Sequence, residues 1–154
     1  MIEYTRSRSI DAPPEEIWAV VADPARLPEW FEGIDRVRTL DGDPELGRHA
    51  IEGPWGEQRF EIVRVLEQEK QGSRLSWRDE SELLDGEAPA DPWHIGSWFE
   101  IALEQRPEGV EVTLTGRQAP ASAEWRERLL AVAPRTEAQL DSSLERLAEL
   151  LEGS

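Results

Sequence analysis

Residues 10–33 read IDAPPEEIWAVVADPARLPEWFEG. Asp11 or a neighbour caps a helix, Pro13 and Pro14 stand in its opening turn, and Glu15 and Glu16 face its positive end. Ile17, Trp18, Val20 and Val21 give that short helix a buried side, and Asp23-Pro24 ends it. A second short helix is expected from about Ala25 to Glu32, with Leu27, Trp30, Phe31 and then Ile34 at helical spacing. Gly33 is its natural stop.

On either side of this stretch the hydrophobic period is two. Upstream, Ile2, Tyr4 and Ile10 share one parity, which predicts a half-buried strand over Ile2–Ile10. Downstream, turn signals at Asp41-Gly42-Asp43-Pro44, Gly53-Pro54, Gly72-Ser73 and Pro107-Glu108-Gly109 separate six more strands. These are expected at Asp35–Leu40, Arg48–Glu52, Gln58–Leu66, Arg74–Asp79, His94–Glu104 and Val110–Arg117. Phe60 and Ile62, Leu75 and Trp77, Phe99 and Ile101, and Val112 and Leu114 form single-parity rows that predict the core-facing side of a sheet. Val63 and Val65 break parity with Phe60 and Ile62, which points to a bulge in the Gln58 strand, and Trp98, with the wrong parity for the Phe99 row, is either exposed or reoriented by a bulge near Gly96. Bulges of this kind bend a sheet until it wraps a helix. That helix is expected from Ala121 onward, with Trp125, Leu129, Val132, Leu140, Leu144, Leu147 and Leu151 as its apolar stripe and a kink or break just before Pro134. The class is therefore α+β: a curved seven-stranded antiparallel sheet around a long C-terminal helix.

The 154 residues suit one domain, expected over residues 1–154. Seventeen Lys and Arg stand against thirty-three Asp and Glu, a formal charge of −16 that repels nucleic acid and anionic membrane surfaces. There is no cysteine, hence no disulfide framework, thiolate nucleophile or thiolate metal site. The alternating, charged residues Met1 to Ile10 lack the apolar run of a signal peptide or membrane span, and a cytoplasmic location is expected. The charge favours a monomer at low salt, with edge-strand pairing into a homodimer as the alternative.

The order strand, two short helices, six strands, long helix resembles the helix-grip fold of the START-like (SRPBCC) superfamily, which includes the birch-pollen-allergen-like proteins. Ile10-Asp11-Ala12-Pro13-Pro14-Glu15-Glu16-Ile17-Trp18, Asp23-Pro24-Ala25-Arg26-Leu27-Pro28-Glu29-Trp30 and the hairpin Leu46-Gly47-Arg48 carry the likeness, which spans essentially the whole chain. In flavour it is similar to the polyketide cyclase/dehydrase and lipid-transport branch. The resemblance implies a deep cavity between sheet and C-terminal helix for an apolar molecule such as a lipid or polyketide, with no family-wide catalytic motif to carry over and no cofactor. Its expected walls are Trp30, Phe31, Phe60, Trp77 and Phe99, opposite Leu129, Val132 and Leu140.

Chemistry is thinly signalled. The only histidines, His49 and His94, have no metal-ligand spacing, and no metal is expected. Asp41, Asp43, Glu45 and Glu52 fall on calcium-loop positions, but Leu46 occupies the glycine position and a solvated hairpin is the plainer reading. No nucleophile elbow occurs around Gly96-Ser97-Trp98. His94 is the best single candidate for an acid–base role, beside the plainer reading of a strand-end histidine. Asp79 to Asp91 reads as a long acidic loop, either a flap over the cavity mouth or a solvated connection. Trp18 reads as a core anchor, whereas Trp55 and Trp93 sit in turn sequences and suggest a cavity rim or partner surface. Three functions compete: a carrier or sensor of an apolar metabolite in a pocket of roughly 300–1,000 Å³, a cyclase or dehydratase that needs a titratable side chain facing that pocket, and a chaperone-associated interaction module. A densely packed interior with no cavity would sink the first.

Overall fold

Seven strands form one antiparallel sheet in the order β1-β7-β6-β5-β4-β3-β2. The computed structural model describes residues 1–40 and 47–152. The strands are β1 (Ile2–Ile10), β2 (Arg36–Thr39), β3 (Arg48–Trp55), β4 (Gln58–Lys70), β5 (Arg74–Leu84), β6 (His94–Arg106) and β7 (Gly109–Pro120). The helices are α1 (Pro14–Val21), a 3-10 turn (Pro24–Arg26), α2 (Leu27–Trp30), α3 (Ala123–Ala131) and α4 (Ala133–Glu152). Among the described residues no helix is long and apolar enough to cross a membrane.

The first and last strands meet: β1 pairs with β7 from Ile2↔Gln118 to Ile10↔Val110, which brings residues about a hundred positions apart into one ladder. Over the sheet lies α4, burying Leu140, Leu144, Leu147 and Ala148. Ser143, fully buried on the same helix, accepts the Glu32 backbone N–H at 2.9 Å and donates to the Gln139 carbonyl at 2.8 Å. That bridge fixes the end of α2 against α4.

The register shifts at three places: Glu67 is the extra residue on β4 between Leu66 and Gln68, Glu80 of β5 is the extra residue opposite the Val63–Arg64 step, so that irregularity belongs to the neighbouring strand, and Ile95 is the extra residue on β6 between His94 and Gly96. The β6 shift leaves Ile95 exposed and Trp98 on the outer face, its ring lying where a Cβ at Gly96 would be. The C-terminal helix breaks before Pro134, with Val132 capping α3.

Several expectations need correction. The second helix is split into a 3-10 turn and the four-residue α2, because Pro24 and Pro28 each open a new turn. The Gly53-Pro54 turn lies inside β3 and the chain reverses at Gly56 instead. Gly53 is there for space: a Cβ would stand 1.9 Å from the Gly33 carbonyl oxygen. Pro54 is tolerated because β2 ends its pairing at Glu52, so no neighbour on that side asks for an N–H. The acidic loop is shorter than expected, since residues 79–84 continue β5 and the turn is made at Asp85-Gly86, both with positive φ. Asp41, Asp43 and Glu45 of the calcium-loop reading lie outside the described residues.

Candidate functional site

Two neighbouring hollows occur between the sheet and the first helical layer. α1 presents Trp18 and Val21, and the 3-10 turn, capped by Asp23 accepting the Ala25 N–H at 3.1 Å, brings Pro24 against strands β3 to β5. The inner hollow is a void of about 10 Å³ lined by Val21, Leu27, Ile51, Arg64, Phe99 and Ile101, together with Pro24, His49 and Trp77. That is room for about one water. The outer hollow is an open recess of about 450 Å³ whose walls include Trp18, Ala22, Asp23, Leu66, Glu69 and Leu75. Pro24, His49 and Trp77 line both and form the partition between them.

A polar row crosses the concave face at this partition. His49 on β3 pairs in register with Arg64 on β4, and Arg64 with Asp79 on β5. Directly opposed residues share a face of the sheet, so all three point inward. Arg64 Nε donates to Asp79 Oδ1 at 2.8 Å, and the two side chains are only 14% and 4% exposed. The guanidinium lies 5.3 Å from the centroid of the Phe99 ring. His49 meets Trp77 edge-on at 5.6 Å, and its Nδ1 is buried without a partner. Burial holds the His49 imidazole below its ordinary pKa, against opposing pulls from the Gly47 backbone and Asp23. The interior is thus a mostly apolar wall carrying one neutralised ion pair and one neutral imidazole. Such groups can hydrogen-bond and orient a polar atom on an otherwise apolar molecule.

The expected walls are only partly realised. Trp77 and Phe99 line the void. Trp30 and Phe31 stack behind it, Phe31 edge-on to Phe99 at 5.4 Å and to Trp30 at 5.6 Å, and act as core. Phe60 is half-buried beside Gly53 and reaches neither hollow. No residue of α3 or α4 lines either one. Leu140 is core, Leu129 packs partly on it, and Val132 is 40% exposed because the break before Pro134 turns it outward. The hollows therefore open against α1 and the 3-10 turn, not against the C-terminal helix, whose face is filled by its own leucines.

His94 is elsewhere. Its Nε2 lies 3.0 Å from Glu82 Oε1, and the Trp93 indole donates to Glu82 Oε2 at 2.8 Å with the two rings 3.9 Å apart. Trp93 is thereby half-buried rather than a free loop-tip aromatic, while Trp55 is 67% exposed on the β3–β4 hairpin. The Glu82 cluster spans a seam: β5 and β6 pair only from Arg74↔Ala102 to Arg78↔Trp98, and beyond that row side chains bridge the strands. Among the described residues no three His, Cys, Asp or Glu are grouped to hold a metal. The sequence signal for the row at the partition was parity. His49 shares its side with Ile51, and Arg64 shares its side with Phe60 and Ile62.

A family model described as polyketide cyclase / dehydrase and lipid transport matches residues 1–152. No curated protein matches significantly by sequence. Among solved structures, the XoxI protein of Bacillus cereus is 18% identical with a TM-score of 0.74, covering 98% of this chain and 96% of that one. A Thermus thermophilus protein is 14% identical with a TM-score of 0.75 over 99% of this chain and 98% of its own. The di-domain ARO/CYC StfQ of the steffimycin biosynthetic pathway is 8% identical with a TM-score of 0.76, over 99% of this chain and 51% of its own. At these identities the likeness is one of fold.

Proposed function

The chain belongs to the polyketide cyclase/dehydrase and lipid-transport family, and from that premise we propose that it binds an apolar small molecule in the recess between α1 and strands β3–β5. The recess itself, about 450 Å³ with Trp18, Leu66, Leu75 and Trp77 in its walls, carries the reading. Its volume lies in the range of roughly 300–1,000 Å³ that small-molecule sites occupy. Trp77 serves as the shared contact between recess and void, and Phe99 as the floor beyond it. His94 has no part in this site.

Ala19 lines the recess from the exposed side of α1, so Ala19→Trp fills the mouth with little disturbance of the core. The unchanged chain should bind Nile red, and native mass spectrometry should find a co-purified molecule. Ala19→Trp should weaken Nile red binding at least tenfold, about 1.4 kcal/mol. Undiminished binding by that variant would sink the site.

The cyclase-like alternative is favoured by one observation, the presence of the Arg64 guanidinium and the His49 imidazole in the lining of the void. It places the substrate in the same recess with its carbonyl at the partition, where His49 lines both hollows and Arg64 stands beyond it in the void. Consumption of a poly-ketone thioester by the unchanged chain, lost in Arg64→Met, would favour it over carriage; binding without consumption would count against it.

A further inference from the structure

Four indole N–H groups end differently. Trp93 Nε1 donates to Glu82 Oε2 at 2.8 Å. Trp18 Nε1 donates at 3.3 Å to Gln71, with that amide turned so that its oxygen faces the indole. Trp30 is fully buried and its Nε1 is sealed in the core without a partner. Trp77 differs from all three. It is only 9% exposed, no described residue accepts from its Nε1, and yet that nitrogen is not sealed from solvent. An N–H that is neither paired nor sealed, on a ring this deeply buried, opens on the hollows the ring lines, and Trp77 lines both as their partition. Buried indole N–H groups ordinarily find an acceptor, and one left open in a concave wall takes it from whatever enters.

The rest of the lining decides which acceptor that is. Asp23 stands in the wall and Glu69 at its exposed rim, with no lysine or arginine beside them. A carboxylate ligand therefore meets like charge at the site as well as the overall −16 of the chain, whereas a neutral oxygen meets neither. Resting on the reading that this recess holds an apolar ligand, we propose that the ligand carries a neutral carbonyl oxygen, that of a ketone or an ester, which accepts the Trp77 Nε1–H. The apolar part lies along Trp18, Leu66 and Leu75. Trp77 is thereby the residue that sets specificity within the recess: it selects for an acceptor, and the acidic lining rejects the ionised ones.

Three probes of one chain length, 2-octanone, 1-octene and octanoate, are read by displacement of Nile red from the full chain. The quantity that isolates the hydrogen bond is the affinity ratio of 2-octanone to 1-octene, because their unequal escape from water cancels when that ratio is compared between variants. Trp77→Phe keeps an aromatic ring and loses the N–H, and the ratio should fall about fivefold from its value in the unchanged chain, the worth of one hydrogen bond. Trp18→Phe trims a ring in the same recess whose N–H already has Gln71, and it should leave the ratio unchanged. Octanoate should bind the unchanged chain at least about tenfold more weakly than 2-octanone. In assigned 1H–15N spectra of the unchanged chain, the Trp77 indole proton should move downfield with 2-octanone and not with 1-octene, a readout independent of how Trp77→Phe folds.

An unchanged ratio in Trp77→Phe overturns the proposal, and so does an equal fall in Trp18→Phe, which would assign the effect to lost indole surface. A Trp77 N–H that ignores 2-octanone overturns it as well. Octanoate binding as tightly as 2-octanone overturns the neutral class. In each of these cases Nile red is still bound and displaced, so the recess stands as a site and the carbonyl alone is refuted. If neither Nile red nor any probe binds, the recess is not a ligand site and both readings fall.

Discussion

Asp79→Ala removes the acceptor that Arg64 holds at 2.8 Å and leaves a guanidinium only 14% exposed in a wall shared with Phe99 and Trp77. Taking one partner from a buried pair strands the other charge, at a cost of about 3–5 kcal/mol. For a domain of this length each kcal/mol moves the melting temperature by about 2–4 °C, so the variant should melt roughly 6–20 °C lower. Asp79→Asn keeps an oxygen acceptor without the charge and should lie between the two. The double variant Arg64→Met, Asp79→Leu removes both charges and restores apolar packing; it should recover to within about 1 kcal/mol of the parent. Urea unfolding followed by tryptophan fluorescence gives the free energies, and calorimetry the temperatures. A loss below about 1 kcal/mol for Asp79→Ala, the value of an exposed pair, would refute the claim that this pair is sealed inside. A double variant as unstable as the two single losses added together would refute it independently.

Three other perturbations test separate parts of the structure. Burial lowers the pKa of His49 in the folded chain, so below the ordinary histidine value of about 6.5 the unfolded chain takes up the proton first and stability falls as pH falls. Unfolding free energies at pH 7.5 and 5.5 should therefore differ more in the parent than in His49→Gln, and equal differences would remove His49 from the effect. Ser143→Ala leaves the Glu32 N–H without its 2.9 Å acceptor and should lower stability by about 1–3 kcal/mol in urea, whereas a change under about 0.5 would mean the end of α2 is held by other contacts. Glu82→Ala releases Trp93 and His94 and should speed amide exchange in residues 79–84 and 94–97 without affecting the β6–β7 ladder; uniform acceleration would mean that no separate seam exists.

Much of the fold was legible because its signals are local. The parity of Phe99 and Ile101, the helical spacing of Ile17, Trp18, Val20 and Val21, and the opening prolines each act over a few residues, and all these apolar side chains are buried. Strand ends were less legible, since Pro54 and Gly53 read as a turn until the end of β2 and the closeness of Gly33 are known. The site was the least legible part. The His49, Arg64 and Asp79 row depends on register across three strands, and the extra residue Glu80 on β5, opposite the Val63–Arg64 step, changes which residues oppose one another. A sequence carries parity along each strand but not the alignment between strands. The filled space beneath α4 likewise follows from how Trp30, Phe31 and the α4 leucines interlock, which periodicity does not encode.

The pairing of β1 with β7 has a consequence for synthesis. Ile10 emerges from the ribosome a hundred residues before Val110, the partner it meets in the finished ladder. At about 5–20 residues per second, that is an interval of roughly 5–20 s. Throughout it the N-terminal segment carries Ile2, Tyr4 and Ile10 with no sheet to cover them. Glu3, Arg6 and Arg8 stand between those apolar residues, the placement by which charges work against association of an unpaired strand. The charges that decorate an edge of the completed sheet are thus already in place while that edge waits for its inner partner.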